Sequence, residues 1–232
     1  MKKQKRWIPW IFLGIFVVLA ALTCRVTVIP DEAPETTVNE AGETVIVEKL
    51  SVTEQYCADH WDSKIIPTIH ERAVDASRFT ADVAADLNAA GEAYGNRANE
   101  TSPWSFCVKG EAKVLAVESA DKPNNTKLVL DIPPCDGAAD MKLHFGKVFP
   151  SHIKNAIRDG VGFLRLDDFT NQVEFADLTT AFNNRVKEPV ITRYIARDLA
   201  GSTVSFYGCV SLQDAEPDSL VVIPVELNVV EE

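Results

Sequence analysis

The first two dozen residues constrain this chain more than any other stretch. Lys2, Lys3, Lys5 and Arg6 stand ahead of an uncharged run from Trp7 to Thr23. That run carries Ile8, Ile11, Phe12, Leu13, Ile15, Phe16, Val17, Val18, Leu19 and Leu22, with no polar face. A basic cluster followed by an apolar segment reads as an export signal. The cations hold the N-terminus in the cytoplasm and direct the rest outward. A buried core helix is the poorer reading, because a globular helix shows a polar stripe. Whatever follows the leader is therefore expected to fold outside the cytoplasm.

Charge adds to this. The chain has 23 basic residues, and removing the four in the leader leaves 19 against 34 acidic ones, a net of −15. So acidic a body argues against nucleic acid as a partner, since phosphate binding needs a clustered positive surface. Hydrophobic residues at 46% and charged residues at 25% exclude wholesale disorder and a multi-span membrane protein.

The apolar run ends in Ala21-Leu22-Thr23-Cys24, which resembles a bacterial lipobox. In that reading Cys24 is the lipid attachment site and the first residue of the mature protein. The sequence departs from the usual pattern, which has Leu where Ala21 stands and Gly, Ala or Ser where Thr23 stands. The alternative is an uncleaved signal anchor, since about 17–20 apolar residues just span a bilayer. Residues 1–24 are thus a signal peptide or signal anchor. Residues 25–50, with Pro30, Pro34, Asp31, Glu32 and Glu35, read as a flexible acidic tether. Its β-branched run Thr44-Val45-Ile46-Val47 predicts a short strand. Residues 51–232 read as a single extracytoplasmic domain.

Within that domain the hydrophobic period changes twice. From Val52 to Tyr94 apolar residues recur three to four apart, at Ile65, Ile66, Ile69, Val74, Phe79, Val83 and Leu87. This predicts one N-terminal helix or a pair, with a break near Asp75–Ser77 and a turn or kink at Pro67. After Gly95 strands are expected over Phe106–Val117, Thr126–Ile132 and Met141–Phe149, separated by the turns Asp121–Asn125 and Pro133–Gly137. Helical spacing returns over Asp177–Lys187, with Asp177 as cap and Pro189 beyond the end. Tyr194–Leu199 reads as a further short helix. Strands follow at Thr203–Leu212 and Leu220–Val230, with Pro224 marking an edge or bulge. The expected fold is α+β. It is a five-stranded antiparallel OB-like β-barrel with an N-terminal helix or helix pair and a helix between strands three and four.

Four cysteines lie beyond the leader: Cys57, Cys107, Cys135 and Cys209. An even count in an oxidising compartment suggests two disulfides. Three pairings are open. Cys107 with Cys209 would join two strands and leave Cys57 to join Cys135. Four free thiols are the alternative. Metal binding is not expected. No pair of cysteines has Cys-x-x-Cys spacing, and His60, His70, His144 and His152 form no His-x-x-x-His pair. There is no nucleophile elbow, no phosphate-binding loop and no dinucleotide fingerprint, so neither a cofactor nor a catalytic residue is assigned.

The most unusual stretch runs from Asp167 to Phe175. Asp168, Asn171, Gln172 and Glu174 offer the paired donors and acceptors that read sugar hydroxyls. Asp168 and Glu174 could also act as an acid/base pair in a hydrolase. The plainer reading is that Asp, Thr and Asn here bond their own backbone in turns and caps while Phe169 and Phe175 pack inward. Trp61 is a candidate stacking surface for a ligand, or a core residue beside a helix start.

Several of these stretches resemble one family. They are Trp61-Asp62-Ser63-Lys64, Phe106-Cys107-Val108-Lys109-Gly110, Asp168 to Ala176, Asn184-Arg185-Val186-Lys187, Thr203-Val204-Ser205-Phe206 and Pro224-Val225. The family is the predicted periplasmic lipoproteins known as domain of unknown function 2291, and the likeness spans about Trp61 to Val230. It implies a lipid anchor at Cys24, an OB-like β domain and a periplasmic location on a bacterial membrane. It further implies an accessory role beside sugar ABC transporters, and it implies no catalytic residues. The expectation is a membrane-tethered, non-enzymatic binding or accessory component. A carboxylate-dependent hydrolase and a purely structural envelope protein are the alternatives. Its expected partners are the membrane and sugar ABC transporter components, not nucleic acid.

Overall fold

The computed structural model describes residues 36–38, 44–46, 50–119, 124–194 and 197–230. The leader, Cys24 and most of the tether lie outside the described residues, as does Asp121–Pro123 of the first predicted turn. Within the tether segment, Thr36–Val38 (β1) pairs antiparallel with Thr44–Ile46 (β2), in the register Thr37 opposite Val45. The second of these is the short strand expected from the β-branched run.

The body begins with four helices where one or two were expected. They are Val52–His60 (α1), Ile66–Arg72 (α2), Ala76–Ala85 (α3) and Leu87–Tyr94 (α4). Local chemistry accounts for the breaks. Ser51 and Glu54 form a reciprocal capping box at the start of α1. Asp75 caps α3 by accepting from the Ser77 amide, and Asp86 caps α4 by accepting from Asn88 and Ala89. Each cap needs extended backbone, and a continuous periodicity of apolar residues hides that need. Between α1 and α2 the chain makes a π-helical turn, Trp61–Ile65.

Strands Trp104–Ser119 (β4), Thr126–Asp131 (β5) and Met141–His144 (β6) follow. Next come the short helix Ala156–Gly160 (α5) and the longer Gln172–Val186 (α6), which continues as a second π turn over Lys187–Thr192. Thr203–Leu212 (β7) and Val221–Val230 (β8) complete the order. The helix between the third and fourth long strands is thus present. It starts earlier than predicted, with Asn171 rather than Asp177 as its cap.

The sheet has six strands rather than five. The sixth, Val74–Asp75 (β3), is two residues long and pairs parallel with β4. The five long strands pair as β4–β5, β5–β6, β6–β8, β8–β7 and β7–β4, so the pairings form a closed circuit. The circuit is mixed, not antiparallel throughout, because β6 and β8 run parallel. β4 closes it by serving two partners: Trp104–Lys113 pairs with β7, and Lys113–Ser119 pairs with β5 across a bulge between Val114 and Ala116. Pro224 sits where the register shifts at Gly208, as a residue without an N–H requires.

One face of β4 lies under α3 and α4, where Phe106 meets Phe79 at 5.2 Å and Tyr94 at 5.7 Å between ring centroids. α5 packs on β4 and β7, and α1 packs on α6. Cys57, Cys107, Cys135 and Cys209 are all free in this structure, so the two expected disulfides are not formed. Three of the four thiols are buried, while Cys135 is exposed in the turn after β5. Among the described residues no group of His, Cys, Asp or Glu could hold a metal ion.

Candidate functional site

The body carries a cleft of about 970 Å³ built by three segments distant in sequence. The π turn after α1 supplies Trp61 and Asp62, and Ile66 begins α2. The end of α6 supplies Asn184 and Arg185. The π turn after it supplies Glu188, Pro189 and Val190, with Arg193 just beyond. Val225, Glu226, Leu227 and Asn228 of β8 form the opposite wall.

Both π turns have a physical cause in proline. Pro189 has no N–H and its ring would clash with the carbonyl four residues back, and widening the helix by one residue relieves this. Pro67 stands in the first turn of α2, directly after the other π turn, so the carbonyl four residues back is that of Ser63 inside the wide turn. There the Ile66 amide reaches back five residues to the Trp61 carbonyl. π turns are rare and gather at functional sites. Here both face one cleft.

Trp61 forms the floor of that cleft. It is only 6% exposed, and its ring lies 5.7 Å from that of Phe182. It shapes the site without offering an open stacking face. Asp62 and Arg185 face each other across the mouth at 3.5 Å. Among the described residues Arg193 has no carboxylate at ion-pair distance, and its guanidinium lies over the Tyr194 ring at 5.2 Å. On β8, Glu226 accepts from His70 Nε2 at 2.9 Å. Glu226 and Asn228 also line a second hollow of about 310 Å³, shared with Lys109, Ser205 and Tyr207. His70 packs on Tyr207 at 4.2 Å there. A polar surface therefore runs along β8 from the cleft onto the sheet.

The Asp167–Phe175 segment is differently disposed. Asn171 Oδ1 accepts from the Val173 and Glu174 amides at 2.9 and 3.0 Å, capping α6. Asp168 accepts from the Arg165 amide at 3.0 Å, and Glu174 accepts from the Thr170 amide at 3.0 Å. Phe169 packs on Tyr56 and Phe175. Burial, and then the charge of Asp168, push the Tyr56 hydroxyl pKa up. Asn171 and Gln172 line a separate surface hollow of about 350 Å³. None of Asp168, Asn171, Gln172 or Glu174 lines the cleft that holds Trp61.

Sequence reading passed over Arg185, Glu188, Arg193, Glu226 and Asn228. A signal was available for the first two: Pro189 lies four residues after Arg185, inside a pattern that stays apolar through Val190 and Ile191. No comparable signal marked Glu226 or Asn228.

The chain matches the family model described as "Predicted periplasmic lipoprotein (DUF2291)" over residues 15–228. That match begins inside the apolar leader and ends on β8. A comparison with curated proteins gave no match. Among solved structures the body resembles the crystal structure of an OB-fold protein from Thermotoga maritima. The TM-score is 0.62 at 17% identity, covering 78% of this chain and 99% of the other. At that identity the likeness concerns the fold alone.

Proposed function

Given that the chain belongs to the DUF2291 family of predicted periplasmic lipoproteins, we propose that it is a non-catalytic binding component, tethered to the membrane through lipid on Cys24. The closed circuit of strands is read as a five-stranded OB-like barrel, with β8 as the wall of its binding face. The ligand is a small polar solute of the carbohydrate class, and the protein serves a sugar ABC transporter as an accessory. The observation that carries this reading is the convergence of both π turns on one cleft against β8. The cleft offers what a polyhydroxylated solute needs: the side-chain amides of Asn184 and Asn228, the carboxylates of Glu188 and Glu226, and the guanidinium groups of Arg185 and Arg193.

The test is a thermal-shift screen of the purified full-length protein in detergent against neutral sugars, sugar acids and sugar phosphates. A ligand that binds only the folded state raises the midpoint by mass action, by about 2.7 kcal/mol of stability at a hundredfold excess over Kd. A saturable shift is expected for one class, and it should disappear in Asn228→Ala. A flat response across the panel would remove the small-solute reading and turn the search to a protein partner.

A further inference from the structure

Cys107 on β4 stands directly opposite Cys209 on β7, in the pairing that closes the circuit of strands. Directly opposed residues of an antiparallel pair have Cα atoms about 4.5–5.5 Å apart. That lies within the range a disulfide spans. The two sulfurs are 3.9 Å apart and both are buried. The surroundings fit the pair closely. Cys107 Sγ donates to the Gly160 carbonyl at 3.4 Å. A Cβ at Gly160 would stand 3.3 Å from Cys209 Sγ and 3.6 Å from Cys107 Sγ, so α5 covers both sulfurs closely.

A cation accompanies them. The Arg72 guanidinium at the end of α2 packs against Gly162, where a Cβ would stand 3.3 Å from Nη1. Among the described residues it has no carboxylate at ion-pair distance, and its Nε is buried without a hydrogen-bond partner. The hydrogen bond with Cys209 and the positive charge of Arg72 both favour the Cys107 thiolate, while the Cys209 thiol is pushed up. One sulfur is thus prepared to attack and the other keeps its proton. The other two cysteines differ. Cys57 is buried, its pKa raised to about 11 chiefly by burial. Cys135 is exposed in a turn with φ 58°.

We infer that Cys107 and Cys209 are a redox pair, oxidised in the periplasm to one bond that clamps β4 to β7 while Cys57 and Cys135 stay thiols. The oxidant is a disulfide, RSSR, carried by a thiol oxidoreductase or a small molecule. Cys107 sulfur attacks it and releases one RS⁻. That thiolate takes the Cys209 proton as the Cys209 sulfur attacks Cys107 and releases the second RS⁻, which takes up the proton that Cys107 gave to solvent on ionising. The two cysteines lose two electrons and two protons, and RSSR becomes two RSH. Local opening of the short α5–Gly162 segment, which covers the pair, admits the oxidant.

The test is cysteine mapping on full-length protein extracted from membranes without reductant. Free thiols are alkylated under denaturing conditions, and peptides are identified by mass spectrometry before and after reduction. The expected result is a Cys107–Cys209 linked peptide with Cys57 and Cys135 alkylated. The Cys57→Ser/Cys135→Ser double variant, which leaves the pair untouched, should keep the linkage. Four alkylated cysteines after incubation with oxidised glutathione would overturn the inference. So would a linkage through Cys57 or Cys135.

Discussion

Two polar regions of the body, the Asp167–Phe175 loop and the cleft on β8, look alike in composition and behave as opposites. In the loop three of the noted side chains bond nearby backbone: Asn171 accepts from two amides, Asp168 from one and Glu174 from one. In the cleft the polar groups come from three distant segments, and among the described residues Arg193 has no carboxylate at ion-pair distance. A dense run of Asp, Asn and Gln therefore marks a helix start as readily as a site. What separates the two is where the groups come from: one short stretch bonding its own backbone, or three distant segments meeting at one cleft.

The contrast can be attacked through its floor first. Trp61→Ala should cost about 3–5 kcal/mol, because it empties a buried aromatic position against Phe182. Chemical unfolding would measure this. A loss below about 1 kcal/mol would mean that Trp61 is not a floor.

A buried polar group outside both regions gives the next effect. His144 is wholly buried against Phe149, and burial lowers its pKa to about 4. The unfolded chain takes up this proton below its ordinary value near 6.5, and the folded chain does so only near 4. Stability from this group is therefore complete above pH 6.5 and falls as the pH drops from 6.5 to 4. Two and a half pKa units correspond to roughly 3 kcal/mol. Unfolding midpoints measured from pH 8 to 4 should fall along this limb, and His144→Phe should flatten it.

In the loop, Asn171→Ala should cost about 1 kcal/mol, the usual worth of an N-cap, without altering ligand binding. The smallest effect on stability belongs to the cleft. Arg185 pairs with Asp62 at a largely exposed position, so Arg185→Ala should stay within about 0.5 kcal/mol of the parent. The same substitution should weaken ligand binding at least tenfold.

Much of this organisation was legible in the residues. The five long strands, the helix before β7 and the bulge at Pro224 follow from local patterns. What escaped was set by short-range chemistry under a misleading period, or by tertiary contact. Asp86 caps a new helix while the apolar spacing runs on across it, and the π turn Trp61–Ile65 divides α1 from α2 within the same spacing, so four helices read as one or two. Asn171 rather than Asp177 starts α6, because an Asx side chain needs only the two amides ahead of it. Pro189 was read as lying beyond the helix end, yet the helix widens and continues past it. Glu226 and Asn228 are ordinary alternating residues of an edge-like strand. Only the closed pairing of β8 with β6 and β7 turns them towards the ends of α1 and α6.

The most direct test of the central claim is calorimetric titration of the solute found by thermal shift into three proteins: the parent, Arg185→Ala and Asn171→Ala. The account predicts that Arg185→Ala loses binding at least tenfold while Asn171→Ala binds as the parent does. Binding retained in Arg185→Ala and lost in Asn171→Ala would place the site in the loop and contradict it.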